Sequence, residues 1–203
     1  MSIAIIDYEA GNIHSIVSAL SKITNKQHII IKDGKQKEVD LIILPGVGSF
    51  DQAMLKLKSA PNMISYIIKH IQAGKKFLGI CVGMQILANI GYENGLSYGL
   101  GIIEGEVKKI PGSNLKIPHI GWNNISLNID SSKSHLFQKF NNQDFYFVHS
   151  YYFSCKNRDN IVASSQYGIE IPAIISADNV IATQFHPEKS GDIGLDFLKL
   201  LIN

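Results

Sequence analysis

Cys81 is placed where a thiol could act as a nucleophile. It follows the apolar segment 76–80, which has the length of a buried strand, and glycines stand two residues away on each side, at Gly79 and Gly83. A nucleophile between a strand and a helix, flanked by glycines, is the elbow arrangement known from Gly-x-Ser-x-Gly hydrolases. The start of a helix would favour the thiolate, which is the reactive form. The alternative is a small buried hydrophobic residue, and a base elsewhere in the chain has to decide between the two.

His186 is the histidine whose surroundings suit a general base. Pro187 biases the residue before it towards an extended conformation, so the side chains of His186 and Glu188 are expected to project to the same side. A thiol, an imidazole that takes its proton and a carboxylate that orients the imidazole form the general arrangement for nucleophilic catalysis. A plain His-Pro turn with a solvated glutamate is the alternative. We predict that Cys81, His186 and Glu188 are catalytic.

The segment Pro45-Gly46-Val47-Gly48 follows another apolar strand and is a candidate source of backbone donors. Glycines allow a loop to approach a ligand closely or to adopt a positive φ. The amides of Val47 and Gly48, with that of Val82 after the nucleophile, are predicted to stabilise a tetrahedral oxyanion. A plain turn and a phosphate-binding loop are the alternatives, although the lysine–hydroxyl pair of a Walker motif is missing.

Apolar strands alternate with helical patterns in the first half of the chain, which indicates a parallel sheet covered by helices on both faces. The predicted strands are residues 2–7, 27–32, 39–44 and 76–80, and the predicted helices are residues 11–24, 49–72 with an interruption at Pro61, and a helix from Met84 to near Gly91. Ligands of such sheets bind beyond the carboxyl ends of the strands. We therefore expect Cys81, the 45–48 loop and His186 at one edge of the sheet.

The second half of the chain is mostly strand-like, and its strands lie too close in sequence for helices between them. The predicted strands are residues 105–110, 119–127, 144–150, 160–166, 171–176 and 180–185, followed by an amphipathic helix at 191–202. The predicted fold is α/β, a flavodoxin-like, mostly parallel open sheet flanked by helices, with an antiparallel strand extension in the C-terminal half. We expect one domain that spans residues 1–203.

Composition excludes several classes of partner. The formal net charge is +2, and the basic residues, almost all lysine, are scattered, which argues against nucleic-acid binding. No apolar stretch approaches the roughly 20 residues of a membrane span. The two cysteines, Cys81 and Cys155, lie far apart without a metal-ligand spacing and fit a reducing cytosol. We expect a cytoplasmic protein that uses no metal and no cofactor.

Together these segments resemble the class I (triad-type) glutamine amidotransferases. Gly79-Ile80-Cys81-Val82-Gly83-Met84-Gln85 is similar to the nucleophile motif of the family, and His186-Pro187-Glu188 is similar to its acid–base pair. Within the family the resemblance narrows to the glutaminase subunits of imidazole glycerol phosphate synthase. It covers essentially the whole chain and is carried by four segments: Pro45-Gly46-Val47-Gly48-Ser49-Phe50, His119-Ile120-Gly121-Trp122-Asn123, Tyr146-Phe147-Val148-His149-Ser150-Tyr151-Tyr152 and Gln184-Phe185-His186-Pro187-Glu188-Lys189-Ser190.

The resemblance implies a substrate and a mechanism. The Cys81 thiolate would attack the side-chain amide of glutamine with help from His186, ammonia would leave, and water would hydrolyse the glutamyl thioester to glutamate. Glutamine would be bound by Gly46, Gln85, Ser150 and Tyr151. The 45–48 loop would supply oxyanion donors after a rearrangement when a partner binds. His119 and His149 are expected to be structural.

The resemblance also implies a partner, a (β/α)8-barrel cyclase that forms a heterodimer with the glutaminase and receives its ammonia through an internal tunnel. In histidine biosynthesis the cyclase forms imidazole glycerol phosphate and an aminoimidazole carboxamide ribotide. The residues expected to face the cyclase are Asn12, Trp122, Tyr146 and Lys189, with core packing as the alternative for the two aromatic ones.

Three other functions stay open at this point. A paralogous glutaminase could supply ammonia for amidino groups on bacterial surface sugars, and Glu9 and Val82, which depart from the familiar pattern, leave room for it. A free-standing cysteine hydrolase would need no partner. A non-catalytic regulatory subunit would need no intact Cys81, His186 and Glu188.

Overall fold

The computed structural model describes residues 1–35, 38–112 and 115–202. The helices and strands, in chain order, are β1 (Ile3–Ile6), α1 (Ile13–Ile23), β2 (His28–Ile31), β3 (Leu41–Gly46), α2 (Phe50–Ser59), α3 (Met63–Gln72), β4 (Lys76–Cys81), α4 (Val82–Gln85), β5 (Ile90–Gly91), β6 (Ser97–Tyr98), β7 (Gly105–Lys109), β8 (His119–Asn124), β9 (Ser126–Leu127), β10 (Asp144–His149), β11 (Tyr151–Cys155), β12 (Ile161–Tyr167), β13 (Ile169–Ala177), β14 (Val180–Thr183) and α5 (Gly191–Ile202). Short 3₁₀ helices lie at Ser134–Phe140, Arg158–Asn160 and Pro187–Lys189.

The main sheet has eight strands in the order β2-β1-β3-β4-β14-β13-β12-β9. The first five strands in this order (β2, β1, β3, β4 and β14) are parallel to one another. The pairs β14–β13, β13–β12 and β12–β9 are antiparallel. Every residue of β1 and β3 is buried, although their side chains alternate between the two faces of the sheet. Both faces are therefore covered at the centre, and the predicted α/β fold with an antiparallel extension is confirmed.

The helices of the first half follow the predicted pattern. Asn12 caps α1 by accepting a hydrogen bond from the Ser15 amide at 3.3 Å, and the helix buries an apolar stripe against the sheet. The predicted interruption of the 49–72 helix at Pro61 is confirmed, since α2 ends at Ser59 and α3 begins at Met63.

The helix predicted from Met84 to near Gly91 is wrong in length. Helix α4 ends at Gln85, and residues 90–91 form β5, which pairs with β6 and β7. The carbonyl groups of Ile86, Leu87 and Ala88 accept hydrogen bonds from amides of residues 100–103, which replace the bonds that a longer helix would make. The segment that contains residues 100–103 therefore ends the helix early, because it takes up these carbonyl groups.

The strand predicted at 119–127 is wrong as a single element. Its first part, β8, pairs with β10 in a separate two-stranded sheet, and its last part, β9, joins the edge of the main sheet. The buried Ile125 lies between them. A third sheet, in the order β11-β7-β5-β6, contains the unpredicted strand at 151–155. The antiparallel part of the molecule is thus distributed over three sheets.

Candidate active site

Cys81 lies in a strained turn between β4 and α4. Its φ is 54° and its ψ is −112°, a conformation that few non-glycine residues adopt, and only 3% of its surface is exposed. A Cβ atom at Gly83 would collide with the carbonyl oxygen of Leu44, and one at Gly79 would lie 2.7 Å from the Gly83 carbonyl oxygen. The two flanking glycines therefore allow the turn to pack tightly against β3.

The predicted pairing of His186 with Glu188 is present in the structure. His186 is extended, with φ −99° and ψ 96°, and Glu188 lies in the 3₁₀ turn that Pro187 begins. The Nδ1 atom of His186 is 2.7 Å from Oε1 of Glu188, and each side chain is only 2% exposed. The carboxylate accepts a hydrogen bond from Nδ1–H, so it fixes the tautomer and the orientation of the ring.

The electrostatic surroundings favour a charged imidazole. Burial lowers the pKa of His186, but the negative charges of Cys81 and Glu188 outweigh it and raise the pKa to about 10. The Nε2 atom is buried without a hydrogen bond of regular geometry, and the sulfur of Cys81 lies within interaction range of the ring. This arrangement suits transfer of the thiol proton to His186.

The backbone of His186 is held on both sides by groups that sequence reasoning missed. Its amide donates to the Tyr146 carbonyl oxygen at 2.9 Å, and its carbonyl oxygen accepts from the Ser190 hydroxyl at 2.6 Å. The Ser190 oxygen in turn accepts from the Tyr146 amide at 3.0 Å. The position of Ser190 four residues after His186 is the only signal in the sequence that could have suggested this link.

A cavity of about 240 Å³ opens above Cys81 and His186. Val47, Gly48 and Val82, the predicted oxyanion residues, all line it. The Val47 amide donates to the carbonyl oxygen of Ala10 at 2.7 Å, so it does not point a free N–H group into the cavity. The predicted oxyanion donors are therefore close to the nucleophile, but one of them is occupied.

Of the predicted glutamine-binding residues, Gln85, Ser150 and Tyr151 line the cavity. The side-chain nitrogen of Gln85, Nε2, donates to the Tyr151 carbonyl oxygen at 2.8 Å. Gly46 is buried behind the turn instead, where a Cβ atom would meet the amide nitrogen of Gly83. Gly46 thus allows the close approach of β3 to the turn.

Two further residues reach the site without having been predicted. Gln184, fully buried, donates from Nε2 to the Cys81 sulfur at 3.7 Å and accepts from Gln85 at 3.1 Å. Helix α4 has a single turn, so the dipole that was expected to stabilise the Cys81 thiolate is small. The Gln184 side chain adds a second stabilising donor to the sulfur. Glu93 lines the cavity, and its carboxylate, which accepts from the Phe50 amide at 2.9 Å, would attract a ligand ammonium group.

The predicted partner-facing residues differ in their settings. Trp122 is 57% exposed, which excludes the core packing considered for it. Its ring meets that of the half-buried Tyr146 edge-on, with 6.2 Å between the ring centroids. Lys189 is exposed. Asn12 forms the N-cap of α1.

An open α/β sheet with a cysteine elbow and a His–Glu pair at its carboxyl edge defines a hydrolase of the nucleophile-elbow class. The chain belongs to the glutamine amidotransferase class-I family, which matches residues 4–198.

Named relatives indicate which group within the family this chain resembles. The chain is 46% identical to the imidazole glycerol phosphate synthase subunit HisH of Oceanobacillus iheyensis, over 97% of this chain and 96% of the relative. It is 44% identical to the imidazole glycerol phosphate synthase subunit HisH 1 of Campylobacter jejuni, over 97% of each. Among solved structures, PurLQS from Thermotoga maritima has a similar fold, with a TM-score of 0.72 at 19% identity over 100% of this chain and 97% of that one.

Proposed function

We propose that this chain is the glutaminase subunit of an imidazole glycerol phosphate synthase, which hydrolyses glutamine and supplies the ammonia for histidine biosynthesis. The observation that carries the chemistry is the buried His186–Glu188 pair beside Cys81 in its strained turn. The naming of full-length relatives at 44–46% identity as subunits of that synthase supports the pathway over an amidino-sugar paralogue.

The first half of the reaction forms a thioester. The Cys81 sulfur gives its proton to Nε2 of His186 and attacks the carboxamide carbon of glutamine, which yields a tetrahedral oxyanion. The proton then passes from His186 to the leaving nitrogen, the carbon–nitrogen bond breaks, and ammonia is released. Glu188 stabilises the imidazolium that exists between these steps.

The second half returns the enzyme to its starting state. His186 takes a proton from water as the water oxygen attacks the thioester carbon, and the carbon–sulfur bond then breaks to release glutamate. The proton on His186 returns to the Cys81 sulfur, which restores the thiol and the neutral imidazole. Both oxyanions need N–H donors. We propose the Val82 amide together with the 45–48 loop, whose Val47 N–H becomes available when its bond to Ala10 opens.

We also propose a (β/α)8-barrel cyclase as the partner in a cytoplasmic heterodimer, which receives ammonia through its interior. The relatives carry the word subunit in their names, which supports an assembly. The exposed Lys189 lines the cavity. The exposed Trp122 contacts Tyr146, whose carbonyl oxygen accepts from the His186 amide. These residues, with Asn12, are proposed to face the cyclase.

The test compares the wild-type chain with Cys81→Ala in complex with the cyclase and its ribotide substrate. Removal of the sulfur should abolish glutamate production from glutamine but leave synthesis with added ammonium unchanged, because the cyclase chemistry takes place elsewhere. The readouts are glutamate release and formation of imidazole glycerol phosphate.

Other outcomes would contradict the proposal. Loss of both activities in Cys81→Ala would show that the two reactions do not lie on separate subunits. Full glutaminase activity of the chain alone would indicate an independent hydrolase, and activation only by a different barrel protein would indicate the amidino-sugar function.

A further inference from the structure

A row of hydrogen bonds runs from the buried cavity wall to the exposed residue Gln166 of β12, near the edge of the main sheet. Nδ1 of His149 is 2.9 Å from the Tyr151 carbonyl oxygen, and Nε2 of His149 is 3.0 Å from Nδ1 of His119. Nε2 of His119 is 3.3 Å from Nδ2 of Asn123, which also lies 3.0 Å from the Gln166 carbonyl oxygen. We call His149, His119 and Asn123 the histidine relay.

The two ends of the relay determine where each proton lies. A carbonyl oxygen only accepts, so Nδ1 of His149 must donate to Tyr151 and its Nε2 must be an acceptor in the neutral ring. Nδ1 of His119 must then be the donor, and its Nε2 accepts from Asn123. The Gln166 carbonyl oxygen fixes the orientation of the Asn123 amide in the same way. All four bonds are satisfied only when both rings are neutral and protonated on Nδ1.

Packing supports this neutral state. His119 is 3% exposed and lies between the rings of Phe147 and Tyr167, with centroid distances of 4.9 and 3.9 Å. Burial lowers the pKa of His119 to about 4 and that of His149 to about 3. A charged His149 would also repel the imidazolium of His186, with which it shares the cavity.

The relay ends on the part of the cavity wall that lies across from the nucleophile. The Tyr151 carbonyl oxygen accepts from both Gln85 and His149, so both of its lone pairs are used. The Val148 carbonyl oxygen is 3.9 Å from the Cys81 sulfur. Residues 144–149 and 151–155 belong to the two small sheets, with Ser150 between them, whereas Cys81 belongs to the main sheet. Besides the backbone bond from the His186 amide to the Tyr146 carbonyl oxygen, side-chain links such as these therefore hold the wall in position.

We propose that the histidine relay is a positioning device for the glutaminase reaction, in which His119, outside the cavity, holds His149 as the neutral Nδ1–H tautomer and so fixes the wall 149–151 against Cys81. The kinetic part of this inference rests on the proposed function, because it concerns the binding of glutamine. His119 is a positioning residue and does not touch the substrate.

The tautomers can be measured without any activity. In ¹⁵N spectra of the histidine rings, His119 and His149 should both be protonated on Nδ1 only, and neither should titrate between pH 5 and 8. Protonation on Nε2 of either ring, or a titration near pH 6.5, would overturn the inference whatever the protein catalyses.

The kinetic test uses His119→Phe, which keeps a ring in the aromatic stack but removes the donor to His149. In the complex with the cyclase, the KM for glutamine should rise about tenfold, the effect of one buried acceptor left without its donor, while kcat changes less than threefold. His119→Asn, whose amide nitrogen can replace Nδ1, should recover most of the lost affinity.

Tyr167→Phe is the matched control, because it keeps the ring that stacks on His119 and loses only its hydroxyl bond to the Lys116 carbonyl oxygen. Its KM should equal that of the wild type. A wild-type KM in His119→Phe, or equal impairment of the Phe and Asn variants with native circular dichroism, would overturn the positioning role. Absence of glutaminase activity in the wild-type complex would instead contradict the proposed function.

Discussion

At the scale of single residues, the site separates the two nitrogens of one imidazole. Nδ1 of His186 is occupied by Glu188, and Nε2 is left for the nucleophile. The second carboxylate oxygen, Oε2 of Glu188, is buried without a hydrogen bond among the described residues. The negative charge of Glu188 is thus directed mainly at His186, where it stabilises the protonated ring.

The Glu188→Gln variant removes this charge at nearly constant volume. We expect kcat for glutamine hydrolysis to fall by about 10²- to 10⁴-fold, because the amide can donate to Nδ1 and so favour the wrong tautomer of His186. Steady-state glutamate production in the cyclase complex measures it, with ammonium-dependent synthesis as the control. A kcat within twofold of the wild type would show that Glu188 does not orient the base.

At the scale of elements, the turn between β4 and α4 is packed directly against β3. Gly83 faces the Leu44 carbonyl oxygen, and Gly46 faces the Gly83 amide. No side chain separates these backbones, so the position of Cys81 depends on two strands that meet at glycine.

The Gly83→Ala variant tests this contact. A methyl group against the Leu44 carbonyl oxygen forces β3 and α4 apart, and we expect a loss of about 1–3 kcal/mol in the free energy of unfolding. Urea unfolding measures the loss. Ser18→Ala, on the exposed face of α1, is the control and should change the free energy of unfolding by less than about 0.5 kcal/mol. Equal stability of the two variants would mean that the turn has room to relax.

Periodicity and turn chemistry predicted the elements that depend on local sequence. The four parallel strands before Cys81, the break at Pro61 and the His186–Glu188 pair all follow from short segments. Strand β5 and the separation of β8 from β9 could not be predicted, because their partners lie elsewhere in the chain. Gln184 was missed for the same reason, since its hydrogen bonds to Cys81 and Gln85 join distant segments and leave no spacing to read.

At the scale of the whole molecule, buried neutral histidines make stability depend on pH. The pKa values of His119 and His149 in the folded protein, about 4 and about 3, lie below the value of about 6.5 expected in the unfolded chain. Between these values the unfolded state binds more protons than the folded state. Their contribution to stability is therefore complete above pH 6.5 and is lost as the pH falls towards 4.

The His119→Phe variant should make this loss less steep. Each such histidine contributes a slope of up to about 1.4 kcal/mol per pH unit, so the variant should lose unfolding free energy more slowly between pH 6.5 and 4.5 than the wild type. Urea unfolding at a series of pH values measures both slopes, and the carboxylates common to both proteins cancel in the difference. Identical slopes would contradict the buried, neutral state of His119.

The distribution of the site over separate sheets has an evolutionary consequence. The nucleophile ends the central strand β4 and the base follows the neighbouring strand β14, whereas the wall 149–151 connects the two small sheets and the exposed Trp122 lies in one of them. Substitutions in the small sheets can alter what is bound, and which protein is contacted, without moving the strands that position Cys81. One hydrolytic centre could in this way be inherited unchanged by proteins that bind different ligands and partners.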